Sequence, residues 1–538
     1  MKNTSIEHLE SRIAPASVAI AGHTATWTDF DGDLVTLKFS SAAAPDFAST
    51  DSGVGLLVDR ITFDAAKHTN GAFSLSVKAA GGGDGHIDLG RVEAPGVALK
   101  SWKSPAATIA EFDSASVGNF VSGALGAVPF SKFNNTGGDG KSEVLGDVKT
   151  FTVRGDIAAT VVSIDGSFAG KITVKGSLLG GSPGGLPDSG KLLIKSGVVD
   201  SVFVGGDLIG GDAGGRLSLP NTTNQAIIVV KGSVIGGDGA FSGGVDAMTA
   251  KFISVGGDVI GGTAAVSGVV AGGNCGKLVV GGSVIGGKLD HTGYLRFGNI
   301  GSIKVGGSVV GGFETEATDN QIVGGIRIAG DVKSVTIGGS LIGGTYGSGT
   351  KLSYNGAVSV SGNLGTLTVK GSIVGHDGEQ AIVAVGGKAP AAAGDYNGIG
   401  KVIVVGDVSF AYIAAGQGQN NGDFLDRIGV AENPDAGIGS VRVGGDWLHS
   451  SLTAGINDAN TNGAQSSDTR DTGDAARHAI IGPVAIKGFV LDNPGASGFS
   501  GFIAEKIASI AVHGVNVFKT GDAARSLDSH SFVDVAEI

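Results

Sequence analysis

One cysteine among 538 residues excludes an internal disulfide. That residue, Cys275, lies in Asn274-Cys275-Gly276 beside a predicted strand, where a small buried side chain is expected. Proline is scarce, at 12 residues, and no strict Gly-X-Y triplet runs through the chain, so collagen is excluded. Only 16% of residues are charged, the net charge is −12, and no cluster of Lys or Arg interrupts it. Nucleic acid is therefore not an expected partner, because phosphate binding needs concentrated positive charge. No apolar run reaches the ~18 residues of a membrane-spanning helix. The low charge does not signal disorder, since 41% of residues are hydrophobic and the mean hydropathy is positive.

What the chain has in abundance is glycine, 98 residues, and it is periodic. The phrase Gly-(Asp/Ser)-(Val/Leu)-(Leu/Ile/Val)-Gly-Gly starts at Gly176, Gly206, Gly232, Gly257, Gly282, Gly307 and Gly339, with three consecutive intervals of 25 residues. Fixed-period self-similarity marks a repeat architecture. A shorter beat of Gly-(Asp/Ser) at Gly146, Gly155, Gly166 and Gly176 steps by 9, 11 and 10 residues, so about three beats fill one long interval. That arithmetic predicts a three-sided coil. In Ile303-Lys304-Val305, side chains alternate inward and outward as on a strand. Gly306-Gly307 is expected to make a corner by adopting positive φ, with Ser308 bonding the turn backbone. Which of Val309 and Val310 faces inward is left open by the pattern. One coil alone buries too little to fold, so neighbours must supply hydrogen bonds and aligned Val/Ile stacks. With strands ~4.8 Å apart, residues 146–518 would form about 13 coils and a rod roughly 60 Å long.

The predicted organisation is a leader or sorting segment at 1–21, a small β domain at 22–100, a transition or cap at 101–145, solenoid repeats at 146–518 and a capping tail at 519–538. In the small domain, Leu34 to Phe39 and Ala72 to Val77 alternate apolar and polar residues, the period-2 sign of half-buried strands. Asp31-Gly32 marks a hairpin turn. After Gly445 the phrase decays into Trp447-Leu448-His449, residues 457–477 read as an exposed loop, and Phe532 to Val535 reads as a capping strand.

Few residues carry a chemical motif. Asp29, Asp31 and Asp33 form D-F-D-G-D, three carboxylates at alternate positions around a glycine turn, which could place oxygens on one Ca²⁺. The alternative is a hairpin turn with solvated carboxylates. A full EF-hand loop is missing, because its last position would be Ser40. Calcium β-roll repeats fail at Gly82-Gly83-Asp84-Gly85-His86-Ile87 and at Gly137 to Ser142, where Ile87 and Ser142 replace the required Asp. Gly180-Gly181-Ser182-Pro183-Gly184 matches a nucleophile elbow, but Pro183 and Pro187 deny the helix that must follow. Gly140-Lys141-Ser142 lacks the upstream glycine of a P-loop. The carboxylates on the beat, Asp207, Asp258, Asp331 and Asp407, alternate with Ser177, Ser233, Ser283 and Ser308. Interchange of Asp and Ser suits a turn cap and not a catalytic acid. Threonine is too sporadic on the beat for an ice-binding rank.

Three features together resemble a known family. His8-Leu9-Glu10-Ser11-Arg12-Ile13-Ala14-Pro15-Ala16 is similar to the LEPR-type N-terminal motif of large exported bacterial proteins, with Ser11 in place of its proline. Ala25 to Leu37 resembles the Asp-rich strand that follows that leader, and Lys304 to Gly312 resembles the glycine-rich β-strand repeats of the same proteins. The resemblance implies export and a β-solenoid at or beyond the cell surface; it supplies no activity, cofactor or site residue. The expected fold is all-β, a small N-terminal β domain followed by a right-handed parallel β-helix or solenoid. The expected role is a non-catalytic structural or adhesive protein, extracellular or at the cell surface, whose partners are envelope components, glycans or further copies of itself. The alternative is a glycan-binding or polysaccharide-cleaving β-helix, which would need a groove of clustered carboxylates and basic residues.

Overall fold

A computed structural model describes residues 17–126, 139–181, 188–314, 323–346, 355–377, 379–388, 398–417, 433–457, 469–470, 478–492, 500–527 and 533–538. The motif at 8–16, most of the G-x-S-x-G match, and the greater part of the inserts at 313–321, 416–423 and 457–477 lie outside these. The chain is all-β, with one short helix, Ala65–His68, capped by the Asp64 carboxylate on the amide of Ala66. No helix among the described residues is long and apolar enough to cross a membrane. Two compact units divide at Ala169/Gly170.

The second unit is a parallel β-solenoid of three-sided coils. Its main strands pair in parallel with their equivalents one coil on, in three columns. On the shortest side, Leu178 pairs with Leu208, Val234 follows with Val259 and Val284, and the column continues through Val309, Leu341, Ile373, Val408 and Trp447 to Val490. All of these are buried. Val309 therefore faces the core, and Val310 lies half-exposed on the outer face. A second column runs from Val202 through Ile228, Ile253, Leu278 and Ile303 to Ile510. A third runs from Leu192 through Leu217, Val245, Val270 and Leu295 to Phe502 and Val535. Side chains alternate on each strand, so each coil sends a set such as Leu295, Phe297, Ile303, Val305 and Val309 inward. Stacking identical aliphatic side chains removes them from water along the whole column.

Bulk at Trp447 does not end the coil. Its ring is fully buried, packs on Phe502 with centroids 4.9 Å apart, and fills the place held by valine in earlier coils. The C-terminal strand Val533–Glu537, at the expected capping strand, pairs with Ser500–Ala504, and Val515–Lys519 folds back antiparallel on Ser509–Val512. Cys275 lies within the strand Val269–Val280 and is buried; desolvation pushes its thiol up to about 11.

The corner glycines have a different cause from the one expected. Gly306 and Gly307 are not in the positive-φ region. They are required because coils touch: a Cβ on Gly306 would overlap the carbonyl oxygen of Gly281, and one on Gly307 the hydroxyl of Ser283. Positive φ occurs at another corner, at Gly243, Gly268 and Gly293, each 25 residues from the next.

The first unit is built on a different core. Thr24–Thr28, Leu34–Phe39 and Ala72–Lys78 form an antiparallel sheet with Trp27 opposite Val35 and Leu37 opposite Leu75. Ala19–Ala21, at the end of the predicted leader, adds an edge strand to it. The strand Ile87–Leu125 then runs unbroken through residue 100, pairing in parallel with Leu56–Thr62, Ala72–Lys78, Lys141–Val144 and Val148–Val153 in turn. Aromatic rings fill the interior: Phe63 on Phe73 at 4.6 Å, Trp102 near Phe112 at 6.2 Å, Phe112 on Phe120 at 4.6 Å, and Phe120 stacked on Phe151 at 4.3 Å.

Candidate functional site

The hairpin between Thr24–Thr28 and Leu34–Phe39 brings Asp29, Asp31 and Asp33 together. One oxygen from each lies within 4.8 Å of the others. The turn closes through the amide of Asp29 donating to the carbonyl of Asp33 at 2.9 Å, with Gly32 at φ +106°, a conformation that favours glycine. The three carboxylates have separate jobs. Asp29 is fully buried, and its Oδ1 accepts from the amides of Asp31, Gly32 and Asp33 at 3.3, 3.1 and 2.8 Å. Asp33 is also fully buried; its oxygens accept from the amides of Ala80 at 3.0 Å and Gly85 at 2.6 Å, which holds the glycine loop at 80–85 against the hairpin. A Cβ on Gly83 would overlap the Asp33 carboxylate, so glycine there permits the approach.

Two acceptors are left over. Asp29 Oδ2 and Asp31 Oδ1 are buried and have no hydrogen-bond donor. Burial, and next the neighbouring Asp31 carboxyl, push Asp29 up to about 7. Asp31 is held below the ordinary carboxylate range, chiefly by its contact with the Asp29 carboxyl. The reading of this segment as a hairpin turn is correct, but its carboxylates are not solvated: two are fully buried, and Asp33 is occupied by the loop.

The carboxylates on the solenoid beat are used for structure. Asp207 Oδ1 accepts from the amide of Ser233 at 2.6 Å, Ser233 Oγ from the amide of Asp258 at 3.1 Å, and Asp258 Oδ1 from the amide of Ser283 at 2.6 Å. The series continues through Ser283, Ser308, Ser340, Ser372 and Asp407 to Asp446, whose Oδ1 accepts from Phe489 at 2.8 Å. Each Asp or Ser therefore caps the next coil rather than its own turn. The two types interchange because each needs only one acceptor atom. Asp331 belongs elsewhere: it stands on another corner, where it accepts from the amide of Asn363 at 2.9 Å, and Ser340 takes the ladder position in its coil. That other corner, with Asn274, Asn299, Asp331 and Asn363, lines an open groove of about 570 Å³ above Cys275 and Ile300.

An acidic cleft in the first unit was not singled out from the sequence. Arg91, Glu111, Asp113, Asp139 and Glu143 line a hollow of about 270 Å³. Glu111 and Asp113 flank the buried Phe112 on one strand, so both carboxylates lie on the face opposite the core. Asp113 stands beside Glu143 on the neighbouring strand and accepts its amide at 3.1 Å. Arg91 holds Glu111 through Nε at 3.0 Å and Nη2 at 2.9 Å. Burial pushes Asp113 up to about 7, with Glu111 adding to the rise, and burial also raises Glu111. The readable signal was Glu111-Phe112-Asp113, a carboxylate pair at strand spacing around an aromatic.

Comparison with protein-family models, with curated proteins and with solved structures finds no match.

Proposed function

We propose that the chain is a structural or adhesive β-solenoid protein of the cell surface or the extracellular space, a member of the exported glycine-rich repeat proteins that its sequence resembles. The observation that carries this reading is the Asp/Ser ladder. Carboxylates that repeat at coil spacing are spent on joining coils, from Ser177 accepting the Asp207 amide to Asp446 accepting the Phe489 amide. Such a body presents long regular faces to envelope components, glycans or a second copy of itself. Protease treatment of intact native cells, with fractionation, tests the placement. Digestion of the protein while cells stay whole supports it; protection with recovery in the cytosolic fraction overturns it. Deletion of the gene is expected to weaken attachment or envelope integrity.

The acidic cleft favours a second reading, glycan binding or cleavage in the first unit. Arg91 and the neighbouring acidic side chains would bind hydroxyls, and Asp113, pushed up to about 7, would donate a proton to a leaving oxygen. Release of reducing ends from a neutral or acidic polysaccharide, lost in Asp113→Asn, would establish cleavage. Affinity without turnover would establish binding alone.

A further inference from the structure

We propose that Asp29 Oδ2 and Asp31 Oδ1 form the core of a calcium site, with Asp33 as the residue that positions the 80–85 loop around it. The claim is narrower than three equivalent ligands. Asp33 spends its oxygens on the amides of Ala80 and Gly85, and Asp29 Oδ1 is spent on three amides of the turn. The acceptors that remain are one oxygen of Asp29 and one of Asp31, both buried, reached by no amide or hydroxyl donor, and on carboxyls that touch each other. Buried polar atoms are almost always satisfied, and an orphaned carboxylate oxygen facing another carboxyl is costly. Among the described residues the aspartates at 29, 31 and 33 are the one group whose acidic oxygens converge this closely. Among the described residues, the ion pairs of the first unit lie on Arg60, Lys67, Arg91 and Lys141, and none reaches Asp29 or Asp31.

Calcium fits better than magnesium. Calcium accepts a few carboxylate oxygens and several waters in a flexible shell with bonds of ~2.4 Å, whereas magnesium demands a near-ideal octahedron with bonds of ~2.0–2.1 Å. The protein ligands are few, so water completes the shell and the affinity is expected in the range of extracellular modules, Kd about 10⁻⁴–10⁻³ M. The inference does not rest on the scaffold reading, and it stands or falls separately from it.

The test uses the full chain, stripped with EDTA and titrated at pH 7.5 with calcium chloride and, separately, magnesium chloride. Heats of binding and thermal unfolding are read for the wild type, Asp29→Asn and Asp31→Asn. Asp29→Asn keeps the oxygen that the turn amides use and turns the orphaned oxygen into a donor aimed at Asp31. It should melt no lower than the wild type in EDTA while binding calcium at least tenfold more weakly. At 100-fold excess over the wild-type Kd, calcium should raise the wild-type midpoint by about 5 °C or more and that of either variant by no more than about half as much. Equal calcium heats in the wild type and both variants overturn the proposal, as does a wild-type midpoint that is the same in EDTA and in calcium. Should both variants fail to fold, the wild-type comparison alone decides.

Discussion

The solenoid corner and the N-terminal turn use the same residues, Asp and Gly, to opposite ends. At the corner, Asp258 gives one oxygen to the amide of Ser283, and a glycine makes room for it in the next coil. In the turn, Asp29 gives one oxygen to three amides, and its other oxygen faces Asp31 without a donor. The corner is satisfied by repetition, because the same phrase always arrives one coil on. The turn has no second copy, so no later coil supplies the partner that its remaining oxygens lack. A repeated carboxylate is spent on joining coils here, whereas in the turn the acceptors of Asp33 are spent on a loop and one oxygen of Asp29 is left over.

The comparison breaks most severely at the glycines. Gly282→Ala would drive a Cβ into Asp258 Oδ1 and the Gly257 backbone. A loss of about 3–5 kcal/mol, or failure to fold, is expected in denaturant unfolding, since overpacking and a lost buried hydrogen bond act together. Gly53 is the control, with positive φ but open space around it; Gly53→Ala should cost about 1 kcal/mol. Equal losses at the two positions would show that backbone conformation, and not coil contact, selects glycine.

Next in size is Asp33→Asn. The amide side chain cannot accept from both Ala80 and Gly85, so one buried amide is left facing a donor. A loss of about 1–3 kcal/mol is expected, the same in EDTA and in calcium, because the role is to hold the loop. A loss seen only in calcium would promote Asp33 from positioning residue to ligand.

The parts of the molecule that were legible in sequence are those that repeat. The 25-residue interval and the three short beats gave the coil and its three sides, because identical coils must present identical residues at identical places. The direction of Val309 was not legible: a two-residue strand has no alternation to read, and the corner decides it. The reason for Gly306-Gly307 was misread as a φ requirement, since sequence shows a glycine but not the neighbouring coil that touches it. The residues of D-F-D-G-D were found from their spacing, but their burial depends on Leu56, which bridges to Asp29, and on a loop some 50 residues away. The acidic cleft gathers Arg91 and Glu111 from separate stretches of one strand and Glu143 from another, and no local spacing announces that.

A smaller effect tests interchange within the ladder. Asp258→Ser keeps an acceptor at the right place and should change stability by less than about 0.5 kcal/mol. Asp258→Ala leaves the amide of Ser283 without its partner, for about 1–2 kcal/mol. If the two variants lose equally, the ladder bond contributes nothing beyond the presence of a carboxylate, and the contrast with Asp29 loses its basis.

An effect of similar size to the loss of one ladder bond is a pH dependence in the acidic cleft. Asp113 is raised from 3.8 to about 7 in the folded chain, first by burial and then by Glu111. A carboxyl whose folded value lies above its unfolded one holds its proton more tightly when folded. Its contribution is fully present below pH ~4 and is lost as pH rises to about 7. Glu143, Asp139 and Glu111 all face the group and Arg91 opposes them, so the loss is coupled and screened, about 1 kcal/mol in all. Asp113→Asn keeps the oxygen that accepts the Glu143 amide and removes the titration. Unfolding midpoints of the wild type should fall between pH 4 and 7 relative to this variant and run parallel to it above pH 8. Parallel curves throughout would mean that Arg91 already neutralises the cleft, and the proton assigned to Asp113 in the glycan-cleaving reading would have no place to reside.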